Sequence, residues 1–302
     1  MTESHSIPPP ASVVVAIAQL APTSDRAANL ARIGEMTMDA AARGADVIVF
    51  PEYASYFVAP LDASLAANAE ALRAADPGPF ATALTALAAA HRIVIVAGML
   101  ESAGDSRKAR NTAIAVSGAG LLASARKLHL YDAFGQRESE WVEPGEIAAP
   151  ETFEVGGIRF GLQTCYDLRF PEVSRRLADA GAHVALVPAE WVRGPLKEHH
   201  WLTLIAARAI ENTMYVAAAD HPPPIGVGHS VIVDPEGVAI ATIGTASDVA
   251  LARLRLAELE RVRRVNPALE LRRFSVAERG SAVPAALPNA SSPTDSALSA
   301  ST

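Results

Sequence analysis

The chain has 302 residues, 50% of them hydrophobic, enough to bury a core as one large domain or two ordinary ones without disulfide or metal staples. A formal charge of -7 argues against general affinity for nucleic acid, and a single cysteine excludes an internal disulfide and suits a reduced, cytoplasmic setting. No stretch approaches the roughly 20 apolar residues that span a bilayer, and the polar, proline-broken opening MTESHSIPPP is unlike a signal peptide.

Taken in chain order, short Val- and Ile-rich runs alternate with Ala-rich segments of helical period, the pattern of an α/β protein. Residues 1–10 are expected to be disordered, and SVVVAIAQ (12–19) reads as the first strand. After the start signal TSD, Leu30, Ile33 and Thr37 share one face of a helix running to about Gly44, and DVIVF follows as a buried strand. Helices are predicted over 62–74, 78–90, 171–181 and 196–211. Further strands are predicted at RIVIVAGM, NTAIAVS, IRFGLQTC, HVALVPA, MYVAAA, HSVIVD and VALARL, with a shorter strand-like run before Lys127. The basic cluster RVRR, Arg261 to Arg264, reads as a solvated helix face. The segment 276–302 is expected to be a disordered tail, since from residue 281 onward 17 of 22 positions are Ser, Thr, Pro or Ala. One internal echo stands out. GADVIVFPEYA (44–54) and GAHVALVPAEWV (181–192) each carry a helix-ending Gly, a buried strand, a proline and then a glutamate, which suggests two similar halves whose strand ends converge.

Cys165 lies where an apolar run meets Pro171, a proline suited to a first helical turn. A side chain at such a strand-to-helix turn is displayed at the sheet edge, near helix amides expected to lower a thiol pKa. A working thiol needs a base for its proton and donors for the oxyanion it creates. Glu52, just past a buried strand, and Lys127, after the strand-like run, are of the right types.

In that order FPEYA, RKLHLYDAFG and CYDLRFPE resemble the nitrilase superfamily of carbon-nitrogen hydrolases, in particular its Nit-like amidase, or ω-amidase, branch. RESEWVEPGE, RAIENTMYVAAAD and GHSVIVDPEG extend the resemblance from about residue 12 to residue 256. It implies a single domain over 11–275 with a four-layer α-β-β-α sandwich, and a homodimer or larger assembly. It implies Glu52 as general base, Lys127 as stabiliser of the oxyanion and Cys165 as nucleophile. A second glutamate, Glu138, would position Lys127 and the substrate amide, the Tyr166 amide would complete the oxyanion hole, and neither cofactor nor metal is needed. The activity implied is cleavage of a small aliphatic, carboxylate-bearing amide to acid and ammonia through a thioester. Carbamoyl and nitrile substrates, acyl transfer to an amine and a non-enzymatic scaffold are the alternatives.

Several residues have rival readings. Glu190 could replace Glu52 as base, but its place in the pattern makes it, with Trp191, a lining residue of the substrate pocket. Asp167 and Glu172 are expected to cap the helix or to pair with arginines such as Arg175. His129, two residues from Lys127, offers a cysteine–imidazole alternative. His199, His200, His221 and His229 form no HExxH pair and have no second cysteine to complete a zinc site. Arg169 either holds a substrate carboxylate with its guanidinium fork or pairs with Glu172. Arg193 and Lys197 add charge beside the same pocket wall without an evident role.

Overall fold

The computed structural model describes residues 11–73, 77–104 and 106–278, so the expectations for residues 1–10 and for 279–302 lie outside the described residues. The first strand, β1 (Ser12–Gln19), leads into α1 (Arg26–Ala42), whose N-terminus is capped by the Asp25 side chain on the amides of Ala27 and Ala28. Then come β2 (Val47–Val49), a single turn α2 (Ser64–Ala67), α3 (Gly78–His91), β3 (Val94–Ser102), β4 (Ala109–Ser117), β5 (Gly120–Arg126) and β6 (Val142–Glu143). The second half runs β7 (Thr152–Val155), β8 (Ile158–Leu162), α4 (Pro171–Asp179), β9 (Val184–Pro188), α5 (Lys197–Asn212), β10 (Tyr215–Ala219), β11 (Val231–Val233), β12 (Ala239–Thr242), β13 (Asp248–Arg255) and α6 (Leu256–Val265).

Two sheets form, ordered β13-β1-β2-β3-β4-β5, with β6 beside β4, and β12-β11-β10-β9-β8-β7. Their facing sides supply one apolar layer, with Val15, Ile17, Val47 and Val96 from the first sheet meeting Phe160, Val184, Leu186 and Ile232 from the second. The outer face of the first sheet is covered by Ile33, Met36 and Ala40 of α1 and by Phe80, Leu84 and Ala88 of α3. On the second sheet Leu177 of α4 and Trp201, Ile205 and Ala209 of α5 do the same. The result is helix, sheet, sheet, helix, the four layers expected, and it explains why the central strands read as unbroken apolar runs: both of their faces are buried.

The internal echo has a structural counterpart. β2 is the middle of three parallel strands in its sheet, between β1 and β3, and β9 is the middle of three in the other, between β8 and β10. Each is preceded by a glycine in the left-handed region, Gly44 and Gly181, both with φ near 83°, a conformation that a side chain would strain.

One predicted helix is corrected. Of the described residues in 62–74, only Ser64–Ala67 are helical, because the following backbone joins the edge of β3: Glu70 donates to Leu100 at 3.0 Å and accepts from Ser102 at 2.8 Å. Ala-rich propensity loses to these tertiary hydrogen bonds. The strand predicted to reach Cys165 ends at Leu162, and Cys165–Arg169 coil into a 3₁₀ turn. The RVRR cluster lies on α6 as expected of a helix, though Arg263 is half-buried and donates to the Thr213 carbonyl at 3.1 Å rather than standing wholly in solvent.

Candidate active site

The loops that follow β2, β5, β8 and β9 converge at one end of the sandwich. The Glu52 loop is laced along β3: Phe50 donates to Val96 (2.7 Å), Gly98 to Pro51 (3.0 Å) and Ser55 to Gly98 (3.2 Å). Gly98 is what lets it lie so close, since a Cβ there would sit 2.6 Å from the Glu52 Cα. Lys127 follows β5 and is pinned to β4 by its amide, which donates to Asn111 at 2.8 Å. Cys165 opens the 3₁₀ turn with φ of 43°, a strained value for a non-glycine residue, held by reciprocal capping between Thr164 and Asp167.

These three segments and a fourth meet. The Lys127 ammonium lies 2.9 Å from Glu52 Oε1 and 2.8 and 3.0 Å from the two oxygens of Glu138. Glu138 also accepts from the Tyr53 hydroxyl and the Tyr131 amide, both at 2.6 Å. Glu52 accepts from Asn111 Nδ2 at 2.6 Å and from the Glu190 amide at 2.7 Å. The Cys165 thiol donates to the Glu190 carbonyl at 3.4 Å. Glu52, Lys127, Glu138 and Cys165 are all buried, at 0 to 5% exposure, so their charges act on one another with little solvent screening.

The two carboxylates are driven apart. Burial pushes both up, but in Glu138 the Lys127 charge and the hydrogen bonds from Lys127, Tyr53 and Tyr131 outweigh it and leave the group below the usual range. In Glu52 burial prevails over Lys127, helped by the neighbouring Glu138 charge, and the group is raised. Glu138 is the standing counter-ion and Glu52 the group with appetite for a proton. On Lys127 burial is overcome by Glu138 and Glu52, holding the ammonium well above its ordinary value.

The thiol corrects an expectation. Burial first, then the Glu52 charge, push Cys165 well up rather than down, so a single 3₁₀ turn does not make a free thiolate. Its proton has to be taken by a base at the moment of attack.

The remaining predicted residues are placed as follows. Glu190 reaches the cluster through its backbone, which holds Glu52 and the thiol, while burial, then the charges of Glu52 and Asp220, push its own carboxyl well up. Trp191 is buried, with its amide on Asp220 (2.6 Å) and its indole NH on the Lys197 carbonyl (2.9 Å). Tyr166 packs edge-on against Tyr131, ring centres 5.1 Å apart. Asp167 caps the nucleophile turn and accepts from the His129 amide, while the His129 ring stacks on Phe170 at 3.6 Å. His129 thus ties the Lys127 segment to the Cys165 turn. Glu172 lies in the first turn of α4, and Arg175 turns away from it to the Glu211 carbonyl. Arg169 is not paired with Glu172: it lies over the Trp191 ring at 4.7 Å, near His200. Lys197 donates to the Tyr131 hydroxyl at 2.6 Å and lies over the Phe134 ring at 3.6 Å. His221 donates through Nε2 to the Glu52 carbonyl at 2.7 Å, and burial lowers it to about 4, so it is neutral. The His229 carbonyl accepts from the Trp201 indole.

Sequence reasoning missed Asn111, Tyr53, Tyr131 and His221. Asn111 left a weak signal, an amide opening the strand-like run NTAIAVS, whose burial requires hydrogen-bond partners. Two cavities open from Cys165. The larger, about 510 Å³, is lined by Tyr53, Lys127, Glu138, Glu190 and Arg193 among others. A narrow one, about 10 Å³, lies between Tyr166, Arg169, Glu190, Trp191 and Lys197.

A buried acid, ammonium and thiol at the mouth of a pocket form the machinery of acyl transfer. The sequence pattern described as carbon-nitrogen hydrolase matches residues 14–264. The chain belongs to the carbon-nitrogen hydrolase family. It is 45% identical over 168 residues to the deaminated glutathione amidase of Escherichia coli O157:H7, a match covering 56% of this chain and 64% of the relative, just under two thirds of its length. Among solved structures, Saccharomyces cerevisiae Nit3, a member of branch 10 of the nitrilase superfamily, superposes with a TM-score of 0.76 at 28% identity, over 87% of this chain and 97% of that one. The amidase of Nesterenkonia sp. AN1, in a mutant whose active-site cysteine carries the acetamide moiety of fluoroacetamide, gives 0.71 at 26% identity over 89% and 100%. The carbon-nitrogen hydrolase expectation therefore stands: the chain is a nitrilase-superfamily hydrolase of carbon-nitrogen bonds. No helix of the described residues is long and apolar enough to cross a membrane.

Proposed function

We propose that this hydrolase cleaves a small aliphatic, carboxylate-bearing amide to acid and ammonia through a thioester on Cys165. The observation that carries the reading is Lys127 held between Glu52 and Glu138, at 2.9 and 2.8 Å, beside a buried thiol that needs a base. Glu52 takes the Sγ proton as sulfur attacks the amide carbon. The oxyanion is met by the Lys127 ammonium and the Tyr166 amide, with Glu138 keeping Lys127 in place. The C–N bond then breaks, and the proton on Glu52 passes to the leaving nitrogen. A water, deprotonated by the same glutamate, attacks the thioester; the C–S bond breaks and the sulfur recovers its proton. Glu190 and Trp191 line the pocket, and Arg169, with no carboxylate partner among the described residues, receives the substrate carboxylate.

The reading includes a cytoplasmic setting, where a lone thiol stays reduced, and a homodimer or larger assembly. Exposed Leu202 and Ile210 of α5 and Val238 and Ile240 beside them favour a self-interface, which light scattering would test. Chemistry is tested by intact-mass detection of an acyl adduct with short dicarboxylic monoamides and nitriles. An adduct with the amides, absent in Cys165→Ala, is expected; amide turnover retained by Cys165→Ala would overturn the covalent route.

A further inference from the structure

Two cations flank the narrow cavity beside Cys165, and neither Arg169 nor Lys197 has a carboxylate within ion-pair distance among the described residues. Glu190 lies on the same cavity wall, beyond ion-pair distance of either cation, and their immediate surroundings are aromatic. The Arg169 guanidinium lies over Trp191 and Phe134, at 4.7 and 5.6 Å, and its Nε is buried with no hydrogen-bond partner. The Lys197 ammonium lies over Phe134 and Tyr131, at 3.6 and 4.8 Å.

Lys197 is placed against every local preference. It is 5% exposed, although burying an ammonium without a counter-ion is costly. As the first residue of α5 it stands at the positive end of the helix, where cations are disfavoured. Burial, and after it the like charge of Arg169, lower the lysine's hold on its proton, against a smaller opposing pull from Cys165 and Glu190. Ring faces and one tyrosine hydroxyl return only part of this cost. Tyr131 itself reaches the nucleophile region: it lines both cavities with Cys165, and its ring packs on Tyr166. An anion entering beside Cys165 would offset all three penalties at once.

We propose that Lys197 is a second substrate-binding cation, bracketing with Arg169 the terminal carboxylate of the acyl chain and so selecting acid-ended over neutral amides. This rests on the reading above that the substrate carries a carboxylate. It also divides the substrate between the two cavities: the narrow one, about 10 Å³, has room for little more than the carboxylate between its two cations, and the rest of the amide lies in the 510 Å³ cavity.

The test compares glutaramate with the neutral pentanamide in wild type, Lys197→Gln, Lys197→Met and Arg169→Met. In Lys197→Gln the ratio of kcat/KM, glutaramate over pentanamide, is expected to fall by about tenfold or more, chiefly through KM, with pentanamide changed by no more than about twofold. Glutarate, as a competitive inhibitor of pentanamide hydrolysis, is expected to weaken by a similar factor, a binding readout independent of glutaramate turnover. Lys197→Gln is read in the same way should Lys197→Met fail to fold. Equal losses on both amides would reduce Lys197 to a structural role and overturn the assignment, as would an unchanged ratio. If wild type and Arg169→Met alike show no preference for glutaramate, the carboxylate reading itself fails. If wild type prefers glutaramate and only Arg169→Met loses that preference, the carboxylate reading stands and Lys197 alone is refuted.

Discussion

Gly98→Ala tests whether catalysis depends on how closely the Glu52 loop lies on β3. The added methyl would stand 2.6 Å from Glu52 Cα and 2.7 Å from Tyr53 N, where ordinary contacts begin near 3.4 Å. Both neighbours are backbone, laced to β3 by hydrogen bonds on either side, so no flexible side chain can yield. The loop must retreat by roughly 1 Å, a misplacement able to cost about a hundredfold in rate, with overpacking adding about 1–3 kcal/mol of destabilisation. Gly118→Ala is the control. Its Cβ meets Ala89 Cα at 2.9 Å, a comparable clash against α3 and away from the catalytic residues. Thermal unfolding and amide kcat/KM measured on both are expected to show similar loss of stability, with the rate lost only in Gly98→Ala. If Gly98→Ala keeps kcat/KM within about threefold of wild type, or Gly118→Ala loses as much, the placement of Glu52 is not what limits the chemistry.

The pH profile should carry the asymmetry of the carboxylates. Glu52 accepts a proton only when ionised, so kcat/KM should fall about tenfold per pH unit as pH drops through its raised pKa, above the ordinary 4.5. The raised thiol and ammonium predict no alkaline limb below about pH 9. Glu138→Gln removes a charge that holds Glu52 up, so the acid limb should move to lower pH while the rate falls; an unmoved limb would refute the coupling. Asn111→Ala strips Glu52 Oε1 of its 2.6 Å donor and should lower kcat/KM about ten- to a hundredfold, as steady-state kinetics would show. Lys127→Met should cost about 10²- to 10³-fold or more, whereas His129→Ala should lower Tm and spare turnover; the reverse order would revive the imidazole mechanism.

Much of the fold was legible because its central strands are buried on both faces. VVVAIAQ and VALVP read as apolar runs since neither side meets water. β7 and β12 carry no such signal: both are edge strands of only four residues, too short to give a distinct apolar run, and β12 is mostly exposed. Glu52, Lys127 and Cys165 were visible through motif order. The same motifs could not show that Glu138 opposes Glu52 across one ammonium, which depends on a turn of three residues folding back under Tyr131. Nor could they show that Glu190 meets Glu52 and the thiol through its backbone. Lys197 was noticeable only as charge near a pocket wall, because its lack of an ion-pair partner among the described residues is a fact of three dimensions.

Charge bookkeeping explains why the site needs two glutamates for one lysine. With Glu138 neutralising Lys127, the resting cluster carries one net negative charge, on Glu52, and a neutral thiol. On the proposed route the thiol proton moves to Glu52 as the amide oxygen becomes anionic, so the negative charge travels from carboxylate to oxyanion without a new pair of charges being separated in a dry interior. Creating such a pair would be costly where screening is weak. Moving one charge from one side of the Lys127 ammonium to another costs far less, because the same cation solvates it at both ends of the step. A site with Glu52 alone would lock base and lysine into a neutral pair, leaving a raised thiol with nothing to take its proton. On that proposed route Glu138 would act through Lys127, occupying the ammonium so that Glu52 need not, and this is why Glu138→Gln should change the pH at which the enzyme works as well as its rate.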